Sequence, residues 1–334
     1  MGIVTSGQIA VKPVRVATSA TLEQIAKAAA RRLYPQQTDR PSTGWGSIFD
    51  DEGPLNLPVS MGIRTNGAEV ETDLPTEPSR RLRLRYYWAV SDARAQRMVG
   101  DAHRWSQVNM LNAADLIFYE EREGSYTVLI TMRTPSPFNT VVAALKSLLL
   151  TIDDRPLLVS DTIPEALSED FFLWLIDTVE GDVSDEDAEE EDDDDGIRIV
   201  AINEISSKDR QFRSARFKDS ANAERIELAA LIGKGISGFG PAKVTLTSEQ
   251  HAATFIVEFH LDGGFQPLRT SEYDDADYGP VDFGLALVDD IWTSILPTLR
   301  DRYDNDDAWG ESRRAALRES AIDTICEQLG LVRA

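Results

Sequence analysis

Two runs of basic residues are the part of this chain best suited to chemistry with a phosphate. The first is Arg80, Arg81, Arg83 and Arg85; the other is Lys208, Arg210, Arg213, Arg216 and Lys218, interleaved with Phe212 and Phe217. A guanidinium carries a planar fork of donors that matches two phosphate oxygens at once. In the first run, strand alternation puts Arg81, Arg83 and Arg85 on one face and Leu82, Leu84 and Tyr86 on the other. That face reads either as a solvated surface salt-bridged to acidic neighbours or as a sheet surface touching phosphate. A buried sheet face is not expected to tolerate it. The run from Lys208 precedes a helix that Ser220 or Asn222 can cap, and a helix N-terminus beside basic residues is a ready phosphate site. Its competing reading is a solvated hairpin facing acidic sequence.

Other chemistry is poorly provided for. Gly233, Gly235 and Gly238 spell GxGxxG, but a helix precedes them and Pro241 and a strand follow, the reverse of the order a dinucleotide needs. The spacing is read as a helix-to-strand loop with Gly233 as the helix C-cap. His103, His251 and His260 lack zinc spacing, and Cys326 stands alone. The run Glu191–Gly196 starts like a calcium loop, yet its twelfth position is Ile202 where a bidentate glutamate is required. No GxxxxGK[ST] loop occurs, and no lysine follows an acidic residue at the spacing of a restriction-type nuclease core. The expectation is a protein without catalysis, cofactor or metal, and an enzyme with an unfamiliar site would need a histidine brought against carboxylates.

The charge is polarised along the chain. The formal net charge is −23 over 334 residues, and 11 of the 14 residues from Asp182 to Asp195 are acidic. Residues 1–110 hold 14 basic and 11 acidic side chains, Ile197–Lys218 six and two, and Glu272–Glu311 two and 12. Net charge alone therefore misleads about what each part can bind. No apolar run approaches the roughly 20 residues of a membrane span. Residues 1–14 lack a secretory apolar core, and one cysteine suits a reducing compartment, so a cytoplasmic location is expected.

The elements that must position these residues read as α+β. Expected strands are Ile9–Val16, Leu82–Val90, Asp115–Glu120, Tyr126–Arg133, Pro156–Val159, Ile197–Ile205, Lys243–Thr247 and Thr254–Leu261. Asn66-Gly67 predicts a hairpin between Ile63–Thr65 and Ala68–Glu71, and Asp262-Gly263-Gly264 predicts another into Phe265–Arg269. Helices are expected from Thr21 with a capping box at Gln24, from Ser91 to Arg104, and over Phe138–Leu150, Glu169–Val179, Ala223–Ile232, Phe283–Arg302 with a kink at Pro297, and Glu311–Leu329. Gln36–Pro58 reads as a long loop. The division follows as an N-terminal α+β domain over 1–181, a disordered acidic linker over 182–195, and a C-terminal α+β domain over 196–334. Both domains are expected to be mixed, with antiparallel, hairpin-rich sheets flanked by helices.

The order of elements in the C-terminal half, Ile197–Ile205, basic Arg213–Lys218, Ala223–Ile232, then Lys243–Thr247 and Thr254–Arg269 with the Asp262-Gly263-Gly264 turn, resembles the recombination-associated RdgC proteins. Leu116–Leu150, Pro156–Val159 and Phe171–Val179 are similar to the centre of that family. The resemblance covers about 200 residues and rests on element order. It implies an RdgC-like fold, shared with proteins related to centromere protein N and with a component of a bacterial anti-phage system. It also implies duplex DNA binding without catalysis, often by a homodimer. The expected function is thus nucleic-acid binding through Arg81, Arg83, Arg85, Lys208, Arg210, Arg213, Arg216 and Lys218, in recombination or phage defence, with the acidic segment competing for that surface. The alternative is an acidic protein–protein adaptor, or a DNA mimic, in a larger complex.

Overall fold

Thr21 opens the first helix as its sequence dictates. Its hydroxyl accepts from the Gln24 amide while the Gln24 side chain accepts from the Thr21 amide, the reciprocal capping box. The computed structural model describes residues 9–35, 42–48, 65–74, 78–91, 97–98, 109–132, 136–159, 166–184, 196–208, 214–218, 226–235, 238–274 and 278–331. It is a mixed α/β structure in which every strand pairing within each unit is antiparallel. The chain forms two compact units, Met1–Pro164 with Tyr278–Ala286, and Glu165–Asp277 with Leu287–Ala334.

The first unit contains β1 (Ala10–Ala17), α1 (Leu22–Ala30), β2 (Thr43–Ser47), β3 (Val70–Glu71), β4 (Arg81–Ser91), β5 (Asn109–Arg122), β6 (Ser125–Met132), α2 (Phe138–Leu149) and β7 (Leu157–Val159). Its sheet runs β2-β4-β5-β6-β1, with β3 also on β4 and β7 on β1. One face carries Val14, Val16, Leu82, Leu84, Leu116, Phe118, Val128 and Ile130, packed in one core with Leu22 and Ile25 of α1 and Val141, Leu145 and Leu148 of α2. Each such aliphatic side chain contributes roughly 1.5–3 kcal/mol by leaving water. The Tyr126 phenol donates to the Ala20 carbonyl at 2.8 Å, and burial pushes its pKa up to about 12.

The loop expected over Gln36–Pro58 contains a strand. β2 lies against β4, and Trp45 exchanges backbone hydrogen bonds with Arg32 and Tyr34. A Cβ at Gly44 would stand 2.4 Å from the Tyr34 Cα, so glycine is what lets β2 come this close. The Asn66-Gly67 hairpin does not form among the described residues. Thr65–Glu69 lie outside strands, and Val70–Glu71 pair with Leu82 and Arg81 instead. A long partner strand offers more ladder bonds than a two-residue turn can organise alone. Ser91 closes β4, and most of the helix expected from Ser91 to Arg104 lies outside the described residues.

The second unit contains α3 (Glu169–Ser184), β8 (Ile197–Lys208), β9 (Ser214–Lys218), α4 (Ile226–Gly233), β10 (Phe239–Ser248), β11 (Ala253–Phe259), β12 (Phe265–Pro267) and β13 (Glu272–Tyr273). Then come α5 (Pro280–Asp290), whose first residues are grouped with the first unit, α6 (Leu296–Asn305) and α7 (Arg314–Leu329). Its strands run β12-β11-β10-β8-β9, with β13 on β11. In β10 and β11 buried residues alternate with half-buried ones, whereas β8 buries Ile199, Ile202 and Ile205 at intervals of three. Register shifts between β8 and β10 reset the pleat at each step.

Three boundaries move. α3 continues through Asp182 to Ser184, so the acidic run begins inside a helix of the second unit; residues 185–195 lie outside the described residues. Gly233 is not the cap: it sits in the last turn of α4, where its Cα side meets Ile322 of α7, and Gly235 takes the left-handed conformation at φ 61°. The single helix expected over Phe283–Arg302 is two, α5 and α6, joined by a π-helical turn at Ile291–Ile295 just before Pro297. The wider winding accommodates a proline that an α-helix interior does not.

Candidate nucleic-acid interface

The arginines of β4 are buried or nearly so rather than solvated. Register places Arg81, Arg83 and Arg85 opposite Tyr119, Ile117 and Asp115 of β5, and these opposite Thr127, Leu129 and Thr131 of β6. Ile117, Tyr119, Thr127, Leu129 and Thr131 are all buried, so this other face of the sheet is as closed as the first. Arg85 is tolerated there because Asp115 answers it. Nε donates to Oδ1 at 2.5 Å and a terminal nitrogen to Oδ2 at 3.0 Å, with side-chain exposures of 4% and 0%. Burial opposes the guanidinium charge, and the Asp115 carboxylate outweighs it, so the Arg85 pKa is raised and the charge is locked in. Arg81 donates to Glu71 at 2.7 Å and Arg83 faces the same carboxylate at 3.4 Å. Arg80 bridges Glu23 and Glu120. The expectation that a buried sheet face excludes these arginines is corrected: carboxylates on the adjoining strands β3 and β5 compensate them.

In the second unit, Lys208 ends β8, Arg210 and Arg213 lie outside the described residues, and Arg216 and Lys218 are exposed on β9. β9 ends the described strand order, with Phe217 buried and its two neighbours on the open side. Here the register builds a ladder of alternating sign: Glu258 of β11 opposes Lys243 of β10, Lys243 opposes Glu204 of β8, and Glu204 opposes Lys218. Glu204 also pairs with Arg216, whose side chain is 58% exposed. Arg198 is exposed further along β8, opposite Thr247 and beyond the Ala201–Thr245 pair. Arg198 and Glu204 escaped the sequence reading because bulges in the β8–β10 pairing hide which residues of β8 share a face, and Lys243 and Glu258 because only strand register brings them into line with Glu204. The two basic runs belong to different units, one closed and one open.

Another constellation in this unit was not foreseen. Asp170 and Asp177 of α3 meet the π-helical turn at Trp309–Arg313 and its flanks. The Trp309 indole donates to Asp170 at 2.9 Å and the Trp174 indole to Asp306 at 2.9 Å. Arg313 donates to Asp177 at 2.8 Å and to Asp306 at 2.7 Å, and Arg314 pairs with Asp170 at 2.9 Å. Winding with i→i+5 bonds lets Trp309, Arg313 and Arg314 face one side together. Burial raises the Asp177 pKa, and Arg313 pulls against that shift. The cluster is a cross-brace between helices, made of groups that a sequence read one residue at a time assigns to the surface.

His103 lies outside the described residues, and His260 contacts Gln266 at 3.1 Å and Glu258 at 3.8 Å. His251 faces Asp290. Among the described residues no group of three or more His, Cys, Asp or Glu is placed to hold a metal ion, and no helix is long and apolar enough to cross a membrane. No protein-family model matches this chain, and no curated protein matches it.

Proposed function

We propose that this chain is a non-enzymatic protein–protein adaptor whose acidic surfaces meet a basic partner protein. The observation that supports this reading is the internal use of cations among the described residues. Arg80, Arg81, Arg83 and Arg85 are engaged by Glu23, Glu120, Glu71 and Asp115, and Arg313 and Arg314 by Asp170, Asp177 and Asp306. On the open sheet face, lysines alternate with glutamates. A polyanion needs several uncompensated cations side by side, because each phosphate neutralised is what releases counterions. The long acidic stretches Asp182–Asp195 and Glu272–Glu311 suit a partner protein with a basic surface. Co-purification is the test: a basic protein recovered at fixed stoichiometry, without nucleic-acid absorbance and released by salt, supports the adaptor.

An alternative reading rests on Arg216 and Lys218, exposed together at the end of β9 next to Lys208, Arg210 and Arg213 in sequence. It is duplex DNA binding confined to the second unit, the role that the resemblance to RdgC proteins implies. It requires saturable binding at low salt that disappears in an Arg216→Glu, Lys218→Glu variant.

A further inference from the structure

Along four strands of the second unit, the charges on one sheet face alternate in sign. β8, β10 and β11 bury Ile202, Val244, Leu246, Phe255 and Val257 on the other face, and α3 lies against β8 and β10. The open face carries Glu258, Lys243, Glu204 and Lys218 in one row, one residue each from β11, β10, β8 and β9. Read across the sheet, the row is minus, plus, minus, plus. The next row on that face is uncharged, with Ile256, Thr245 and Ala201 opposite one another and all half-buried. The row after it holds Thr254, Thr247 and Arg198.

We propose that this face is the contact between two copies of the chain, related by a two-fold axis parallel to the strands and lying between β10 and β8. The charged row is antisymmetric about its middle, so it is its own complement. That axis lays Lys243 over the partner's Glu204 and Glu258 over the partner's Lys218, and a two-fold contact occurs twice. It sets Thr245 over the partner's Ala201 and Thr247 over the partner's Arg198, so no like charges meet in the other rows. A two-fold axis running across the strands would lay each strand on its own copy, like charge on like, which is costly. Sheets packed face to face keep their strands within about 30° of each other, which preserves such rows. A second copy of a chain with formal charge −23 is repelled by most of the surface. This row holds two charges of each sign and is free of that repulsion.

The test is sedimentation velocity of the purified full chain over a concentration series. A dimer is expected at about 0.1 M salt and should dissociate towards about 1 M, where charges act over only about 3 Å. Lys243→Glu sets a carboxylate over the partner's Glu204, and Glu204→Lys sets an ammonium over the partner's Lys243. Each variant alone should dimerise about tenfold or more weakly than the wild type. Mixed one to one, the two should recover a heterodimer, because every reversed charge then meets a reversed charge. If a reversal does not fold, Lys243→Ala serves, with the dimer weakened about tenfold and the circular dichroism unchanged. A wild-type chain that stays monomeric, a dimer indifferent to the substitutions, or a mixture of reversals that stays monomeric overturns the proposal. So does a face that takes only a different protein while the purified chain remains a monomer.

Discussion

The sequences of β4 and β9 are similar, each alternating arginine or lysine with a large apolar residue, and yet the two strands end in opposite environments. β4, in the first unit, has strand neighbours on both sides, and both faces of its sheet are closed. Its arginines are therefore structural, each meeting a carboxylate brought by register or by β3. β9, in the other unit, ends its described sheet; one face only is buried, and its cations stand in water opposite Glu204. Alternation tells which residues share a face; the depth of that face depends on what the rest of the chain lays against it.

The contrast can be broken at several points. The largest effect is expected at Arg85. Arg85→Ala strands Asp115 in a closed face and should cost about 3–5 kcal/mol in denaturant unfolding, whereas Arg85→Met with Asp115→Leu should recover most of that loss. Arg313→Ala should cost about 1–3 kcal/mol, since charge-assisted bonds to Asp177 and Asp306 go together. That deficit should shrink on acidification. The Asp177 pKa is raised in the fold, so its ionised form is disfavoured there and protonation at lower pH relieves the missing partner. Arg216→Ala should change stability by less than about 1 kcal/mol, because an exposed pair is screened.

The smallest effect is one of slope. Asp153 accepts from the Thr18 hydroxyl at 2.6 Å and from the amides of Arg155 and Ser19, which holds its carboxyl at about 2. A depressed folded value means a stabilising contribution present above the ordinary 3.8 and lost as pH falls through about 2. Asp153→Asn should flatten that part of a stability-versus-pH curve; an unchanged slope would show that the Thr18 bond contributes nothing.

Much of the fold was legible because its signals are local. The Thr21–Gln24 box, the β5–β6 hairpin around Gly124 and the Asp262-Gly263-Gly264 turn each depend on residues within a few positions of one another. β2 was not legible, because Thr43–Ser47 is a strand only through the approach of Gly44 to Tyr34 and the ladder offered by β4. The fate of Arg85 was not legible either: Asp115 is 30 residues away, and only the register of two strands brings them together. The same holds for the ladder through Lys243 and Glu204, which bulges in β8 conceal from simple alternation.

The claim that the arginines described in β4 and at the start of α7 are internally neutralised, leaving no polyanion surface among the described residues, is tested most directly by titrating the intact protein with labelled duplex DNA from about 50 mM to about 200 mM salt, where phosphate contacts show their steepest loss. The account predicts no saturable binding at the low end. Saturable binding that falls steeply with salt, and is abolished by Arg216→Glu with Lys218→Glu, would contradict it.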